Sequence, residues 1–97
     1  LARNPKLNWK DVLTGLAKLP KLAELDLSED EITELPEEIG SLASLQELNI
    51  SMNKLRILPD AIGKMKQLKK IYLYNNLLPK EENEKIKNLL PNCAVLF

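Results

Sequence analysis

Residues 22–44, LAELDLSEDEITELPEEIGSLAS, and residues 45–67, LQELNISMNKLRILPDAIGKMKQ, repeat one pattern with a period of 23 positions. A fixed period of about 20 to 29 residues is typical of solenoids, because one unit cannot bury its own apolar face and needs a neighbour on each side. We therefore expect a stack of units that acts by presenting a surface. Nine positions match in register: Leu22 and Leu45, Leu25 and Leu48, Leu27 and Ile50, Ile32 and Leu55, Leu35 and Leu58, Pro36 and Pro59, Ile39 and Ile62, Gly40 and Gly63, and Leu42 and Met65.

Each unit is predicted to contain one strand and one short helical segment. Apolar residues alternate around 23–28, 46–51 and 69–74, which predicts strands, and these must be parallel because equivalent segments repeat in the same direction. Each return path carries Leu-Pro-x-x-Ile-Gly. Prolines such as Pro36 suit the first position of a helical turn, and glycines such as Gly40 can end it. The alternation of strand and helix indicates an α/β fold.

The first 21 residues look like a partial or degenerate repeat. Leu1 lies where the last leucine of a repeat strand would lie, so the chain is expected to begin partway through a repeat. Asn8 can cap a helix, and Pro20 closes it before the first strand. One face of this helix is apolar, and it carries Trp9, Val12, Leu13 and Leu16.

Residues 80–97 are predicted to form a C-terminal cap, because the pattern changes after Leu78. Pro79 and three glutamates open a helix that Pro91 terminates. Its apolar stripe comprises Ile86, Leu89 and Leu90. The last residues, Cys93, Val95 and Phe97, alternate like one inward-facing strand, although the spacing from Cys93 to Leu96 also fits Leu-x-x-Leu. We favour the alternating interpretation, in which this segment ends the stack.

Length and composition indicate one domain over residues 1–97, with the regular repeats at 22–79. A chain of 97 residues with 44% apolar content can bury one continuous core. No apolar run approaches the roughly 18 residues that a membrane span needs, so we expect no membrane insertion. The single Cys93 cannot form an internal disulfide, which favours the cytoplasm slightly.

Charge is segregated along the chain although the formal net charge is zero. Residues 22–53 hold nine carboxylates and no basic residue. Five basic residues against Asp11 precede this band within 1–21, and six basic residues against Asp60 follow it within 54–70. Along a solenoid axis these segments become basic, acidic and basic bands.

The stretches LPEEIGSLASLQELNISMNKL and LPDAIGKMKQLKKIYLYNNLL carry a specific resemblance. The chain resembles the leucine-rich repeat family, in its short 23-residue class with LPxxIGxLxxLxxLxLxxNxL, over about residues 19 to 79. The resemblance implies a curved right-handed solenoid with short helical turns on its convex side. It also implies a concave parallel sheet used as a protein-binding surface, called the sheet face below. Asp30 departs from the family's asparagine, which recurs as Asn53 and Asn76.

The candidate binding residues are those that flank the inward leucines, because side chains alternate along a strand and stack in columns between repeats. Exposed tyrosines are enriched among binding hot spots. The alternatives are that Tyr72 and Tyr74 only cover each other, and that the charges pair across repeats, as Glu47 with Lys70 and Glu31 with Lys54. The candidates are Glu24, Asp26, Glu47, Asn49, Met52, Lys69, Lys70, Tyr72 and Tyr74.

The sequence contains few of the residues that catalysis or cofactor binding requires. The chain has no histidine, so neither a Ser-His-Asp nor a Cys-His arrangement can form, and no zinc ligand set is present. Cys93 lies in an apolar segment and is expected to be a core residue. Gly63-Lys64 lacks the upstream glycine of a phosphate-binding loop, because Leu58 stands there. We expect no enzyme activity, no metal and no cofactor.

The leading hypothesis is a non-catalytic module that binds another protein or a peptide on the sheet face. Nucleic acid is disfavoured, because the basic residues of 64–70 lie beside an acidic band that repels phosphates. Two alternatives stay open: a structural element that self-assembles through exposed edge strands, and the C-terminal portion of a larger receptor or effector. We expect a monomer, with edge-strand association as the competing state.

Overall fold

A computed structural model describes residues 8–19 and 21–97. Two α-helices, α1 (Trp9–Leu16) and α2 (Lys80–Leu89), flank two 3₁₀-helices at Glu37–Ser41 and Asp60–Lys64. Four strands complete the chain: β1 (Glu24–Asp26), β2 (Glu47–Asn49), β3 (Lys70–Tyr72) and β4 (Ala94–Leu96). The roles predicted for Leu1 and Pro20 lie outside the described residues. No helix within 8–19 and 21–97 is long and apolar enough to cross a membrane.

The strands form one parallel sheet in the order β1-β2-β3-β4, as the direction of the repeats predicts. Equivalent backbone groups join successive units: Gln46 N donates to Ala23 O at 2.7 Å, and Lys69 N donates to Gln46 O at 2.8 Å. Each strand has three residues, fewer than predicted. The strands are short because the backbone soon turns through positive φ, at 59° in Glu29 and 57° in Met52.

The core lies between the sheet and the helices of the opposite side. Inward residues of neighbouring strands stand in register, with Leu25 beside Leu48, Leu48 beside Ile71 and Ile71 beside Val95. The leucine and isoleucine positions of the repeat pattern supply this interior, so no unit is buried without its neighbours. The fully buried members include Leu27, Ile39, Leu45, Leu48, Ile50, Leu55, Leu58, Ile62 and Ile71.

Two asparagines connect neighbouring repeats inside the turn that follows each strand. Asn53 Nδ2 donates to Leu27 O and Ile50 O, both at 3.0 Å, and its Oδ1 accepts from Asp30 N and Ile32 N, also at 3.0 Å. One amide thus satisfies backbone groups of two repeats. A buried backbone group left without a partner costs about 1 to 3 kcal/mol, so this amide specifies the stacking as well as the turn.

Asn76 repeats the arrangement one unit later. Its Nδ2 donates to Ile50 O and Leu73 O at 2.9 Å, and its Oδ1 accepts from Leu55 N at 3.1 Å. Asp30 holds the equivalent position one unit earlier and is fully buried. An ionised carboxylate can accept hydrogen bonds there but cannot donate them.

The predicted roles of the repeat prolines and glycines were wrong. Pro36 and Pro59 precede the 3₁₀-helices as N-cap residues with extended backbone, rather than opening them. Gly40 and Gly63 lie inside these helices, rather than ending them. Gly40 is required by packing, because a Cβ there would lie 2.6 Å from Ala61 O in the next repeat.

Each α-helix packs beside one of the 3₁₀-helices, α1 beside Glu37–Ser41 and α2 beside Asp60–Lys64. Asn8 caps α1 as predicted, and its side chain accepts a hydrogen bond from Asp11 N at 3.2 Å. Leu13 of the same helix is fully buried. At the other end α2 buries Ile86, and Val95 of β4 faces the core. Phe97 was predicted to point inward but is 43% exposed, because it lies beyond the last pairing of β4 and its ring packs against the ammonium of Lys87 at 5.6 Å.

Candidate functional site

The sheet register arranges the outward side chains in two rows of four. Glu24, Glu47, Lys70 and Ala94 form the first row. Asp26, Asn49, Tyr72 and Leu96 form the second. The spacing of 23 residues brings the first three members of each row together, as the sequence predicts. The fourth strand adds an apolar edge that the predicted columns did not contain.

Asp26 and Asn49 are fixed by the same local contacts. Asp26 Oδ1 accepts from Ser28 N at 2.9 Å and from Ser28 Oγ at 2.6 Å. Asn49 Oδ1 accepts from Ser51 N at 3.0 Å and from Ser51 Oγ at 2.6 Å. The Ser28 hydroxyl and then the Ser28 backbone N–H stabilise the carboxylate and hold the pKa of Asp26 below its ordinary value. Positions 26 and 49 therefore share one geometry, and only Asp26 carries a charge there.

Tyr72 and Tyr74 pack edge to face, with ring centroids 6.5 Å apart and planes at 88°. This contact confirms that the two rings cover each other in part. Tyr74 nevertheless keeps 39% of its surface exposed, and Met52, the residue whose N–H donates to Tyr74 O at 2.9 Å, is exposed to the same extent. The pair fixes both rings at low entropic cost, which is the arrangement expected of a contact surface.

The charged candidates pair only weakly with each other. Lys70 Nζ lies 4.0 Å from a carboxylate oxygen of Glu47, and both side chains are well exposed. Such pairs contribute about 0 to 1 kcal/mol. The second expected pair, Glu31 with Lys54, is not among the ion pairs of the described residues. Lys69 is also exposed, so positive charge lies on β3 and its N-terminal flank.

A shallow depression on the sheet face unites five of the nine candidate residues. Its polar lining comes from β1, β2 and Tyr72 of β3, and Leu25 of β1 also borders it. Met52, Lys69, Lys70 and Tyr74 lie outside this lining. The five candidates that meet there are Glu24, Asp26, Glu47, Asn49 and Tyr72.

The repeats, the register and the outward columns agree with what is known of similar proteins. A model of leucine-rich repeat regions matches residues 4–90. The chain belongs to the leucine-rich repeat family. A solved leucine-rich repeat protein from Leptospira interrogans is similar in fold, with a TM-score of 0.82 and 38% sequence identity. The match covers 91% of this chain and 21% of the Leptospira chain, so this chain spans about a fifth of that protein. No curated protein matches.

Membership in the leucine-rich repeat family confirms the predicted fold class and its solenoid architecture. Proteins of this family are typically interaction modules without catalytic activity. In this chain the polar residues of the depression occupy the variable positions of the repeat pattern, between and after its leucines. The leucines therefore fix where these side chains lie, and the variable positions decide what chemistry they present.

The structure offers little for metal binding or nucleophilic chemistry in this leucine-rich repeat. Within residues 8–19 and 21–97, no group of three or more His, Cys, Asp or Glu is placed to hold a metal ion. Burial raises the pKa of the Cys93 thiol, so the reactive thiolate is disfavoured at neutral pH.

Two contributors to the sheet face were not among the candidates: Ala94 and Leu96. The signal for both was present, because an inward Val95 requires outward neighbours on either side. The repeat pattern predicts a core position for Leu25, and it is only half-buried because β1 is an edge strand among the described residues.

Proposed function

We propose that this chain is a non-catalytic protein-interaction module that binds a protein or peptide on the sheet face. The supporting observation is the register that collects Glu24, Asp26, Glu47, Asn49 and Tyr72 around one depression. Backbone pairing holds these side chains in place before any partner arrives. Preorganisation of this kind lowers the entropic cost of binding.

The titration of the face also supports a binding role over a catalytic one. General acid–base catalysis at neutral pH needs a carboxyl pKa raised toward 7. Among the described residues of the sheet face, Asp26 has a pKa that is lowered rather than raised, because the hydrogen bonds from Ser28 stabilise its charged form. A carboxylate that is charged at neutral pH suits recognition of a partner.

Selection from a random peptide library tests the proposal, because it lets the sheet face choose its own ligands. Peptides selected on the wild-type chain are measured against the double variant Tyr72→Ala and Tyr74→Ala. The matched control is Ile57→Ala with Leu77→Ala, which removes exposed apolar surface outside the strands, where each residue is 54% exposed. We expect the tyrosine variant to lose at least about tenfold in affinity, since aromatic hot spots contribute about 2 kcal/mol or more.

The control separates a specific surface from general stickiness. Equal loss of affinity on both variants, with unchanged melting temperatures, would show that peptide binding is not specific to the sheet face and would overturn the proposal. Retained binding on the tyrosine variant and loss on the control would do the same.

Self-assembly through edge strands is the second candidate function. Within the described part of the chain, β1 and β4 each have one neighbouring strand, and Leu96 on β4 is 40% exposed. An open edge of this kind can pair with another copy. Light scattering over a hundredfold range of concentration decides the matter, because a mass that stays at 11.0 kDa excludes it.

A further inference from the structure

We propose that the partner is a peptide segment with a basic side chain at one end and an apolar side chain at the other. The basic group, arginine or lysine, enters the depression on β1 and β2, and the apolar group lies on β3 and β4. This inference rests on the proposed function, since it specifies what the sheet face binds.

The chemistry of the sheet face changes across the strands from acidic through basic to apolar. The paired positions carry Glu24 and Asp26 on β1, then Glu47 and Asn49 on β2. They continue with Lys70 and Tyr72 on β3, then Ala94 and Leu96 on β4. The formal charge of these positions thus runs from minus two through minus one and plus one to zero. A partner of opposite order complements this gradient, and a uniformly basic or uniformly apolar partner does not.

The acidic end is prepared to receive a cation. Both bonds from Ser28 go to Asp26 Oδ1, and Oδ2 accepts no hydrogen bond from the described residues. The ring of Tyr72 borders the depression, and a cation near an aromatic face gains additional attraction.

The middle of the face fixes the direction of the partner. The contact between Lys70 and Glu47 is long and exposed, so an incoming charge can replace it at little cost. Lys69 and Lys70 repel a second basic group at β3, which excludes the reversed orientation. Beyond them, Tyr74 and Leu96 each keep about two fifths of their surface exposed for an apolar contact.

The strand spacing sets the distance between the two anchors. The centre of the depression and the β3–β4 boundary are separated by about two strand spacings, or about 10 Å. We therefore expect selected peptides to share a basic residue and an apolar residue about 10 Å apart.

The test uses the peptides selected from the same random library on the wild-type chain. Their affinities are compared on the triple variant Glu24→Gln, Asp26→Asn and Glu47→Gln. Asn49 already makes the same two bonds to its serine, so asparagine at position 26 preserves the local geometry. The matched control removes three carboxylates outside the strands, with Glu34→Gln, Glu37→Gln and Glu38→Gln.

We expect the triple variant to lose about tenfold in affinity and the control to change by less than about twofold, because three exposed contacts are worth roughly a factor of two to three each. Raising NaCl from about 50 to about 500 mM weakens wild-type binding as well, since salt screens exposed charges. This salt titration keeps the test valid if the triple variant fails to fold.

The possible failures are distinguishable. One outcome overturns this inference and leaves the proposed function standing. In it, the peptides depend on Tyr72 and Tyr74 but lack basic residues, and their affinity is unchanged both on the triple variant and at high salt. If the peptides bind the tyrosine variant and the triple variant as tightly as the wild-type chain, both the proposed function and this inference are overturned.

Discussion

The contact between two repeats and the contact between the last repeat and the cap solve the same packing problem differently. Between repeats, a Cβ at Gly40 would meet the backbone oxygen of Ala61 at 2.6 Å. At the cap, a Cβ at Gly63 would meet the tip of the Leu89 side chain at 3.3 Å. Backbone cannot move aside without shifting a whole unit, whereas a leucine tip can rotate. The repeat contact is therefore rigid, and the cap contact is adaptable.

The polar contacts differ in the same way. Between repeats, neutral amides such as Asn53 satisfy the backbone of both neighbours. At the cap, an ion pair contacts the Leu58 backbone: Glu82 Oε2 accepts from Leu58 N at 3.0 Å, and Lys85 Nζ donates to Leu58 O at 2.9 Å. The ammonium and carboxylate lie 2.8 Å apart, and this contact raises the pKa of Lys85. The contact of α2 with Leu58 thus uses charged side chains, whereas the turns between repeats use neutral amides.

The largest expected effect is at the amide between repeats. Asn53→Ala removes the amide from three buried backbone groups, while Ile50 O keeps its bond from Asn76, so we expect a loss of about 3 to 5 kcal/mol in the free energy of unfolding. Asn76→Ala removes the amide from two, and about 2 to 3 kcal/mol is expected. Urea denaturation measures both. Equal losses would contradict the difference in the number of groups that each amide satisfies.

The two glycines test the rigidity of the contacts directly. Gly40→Ala is expected to cost about 2 to 3 kcal/mol, because overpacking against backbone forces the neighbouring unit to shift. Gly63→Ala should cost less than about 1 kcal/mol, because Leu89 can adjust. Thermal unfolding of the two variants side by side decides this. A larger loss at Gly63 would refute the assignment of the adaptable contact to the cap.

The ion pair at the cap gives a smaller effect. Glu82→Gln keeps an acceptor for Leu58 N but removes the attraction to Lys85, and we expect a loss of about 1 to 2 kcal/mol. Glu81→Gln, one residue earlier on the exposed side of α2, is the control and should change stability by less than about 0.5 kcal/mol. Urea midpoints at neutral pH compare the two, and equal stabilities would exclude a role for the buried carboxylate.

The smallest expected effect distinguishes the two otherwise matched turns after β1 and β2. The pKa of Asp26 is lowered in the folded chain, so its contribution to stability is present above the ordinary value of 3.8 and is lost as the pH falls through the lowered value. Because Asp26 is exposed, solvent screening limits this contribution to less than about 0.5 kcal/mol. Asp26→Asn should reduce the loss of stability between pH 5 and pH 2 by that amount. Urea midpoints measured across this pH range test the prediction. The same loss of stability in the variant and the wild-type chain would contradict it.

The same contrast explains how much of the molecule could be predicted from its sequence. Where units repeat, a spacing of 23 residues fixes the register, so the column Glu24, Glu47 and Lys70 followed from alternation alone. The roles of Pro36 and Gly40 could not be predicted, because Leu-Pro-x-x-Ile-Gly suits an α-helical turn equally well. The neighbour that requires glycine, Ala61, is known only once two units are packed.

At the cap and on the sheet face, side-chain detail carried information that periodicity lacks. Glu81 and Glu82 are equivalent helix-opening residues in the sequence, and only Glu82 meets the backbone of Leu58. The register confirms two of the predicted columns, Glu24 with Glu47 and Lys70, and Asp26 with Asn49 and Tyr72. The grouping of Asp26, Asn49 and Tyr72 around one depression depends on their side-chain conformations, which alternation does not specify.

The equivalent bonds from Gln46 to Ala23 and from Lys69 to Gln46 have a consequence for how such a chain can evolve. A tandem duplication of a 23-residue window within residues 22–67 inserts a complete repeat that can form the same bonds to both neighbours. Each copy widens the sheet by about 4.8 Å without redesign of the interior. The number of repeats can therefore set the width of the sheet face, while point substitutions at the outward positions change its chemistry independently.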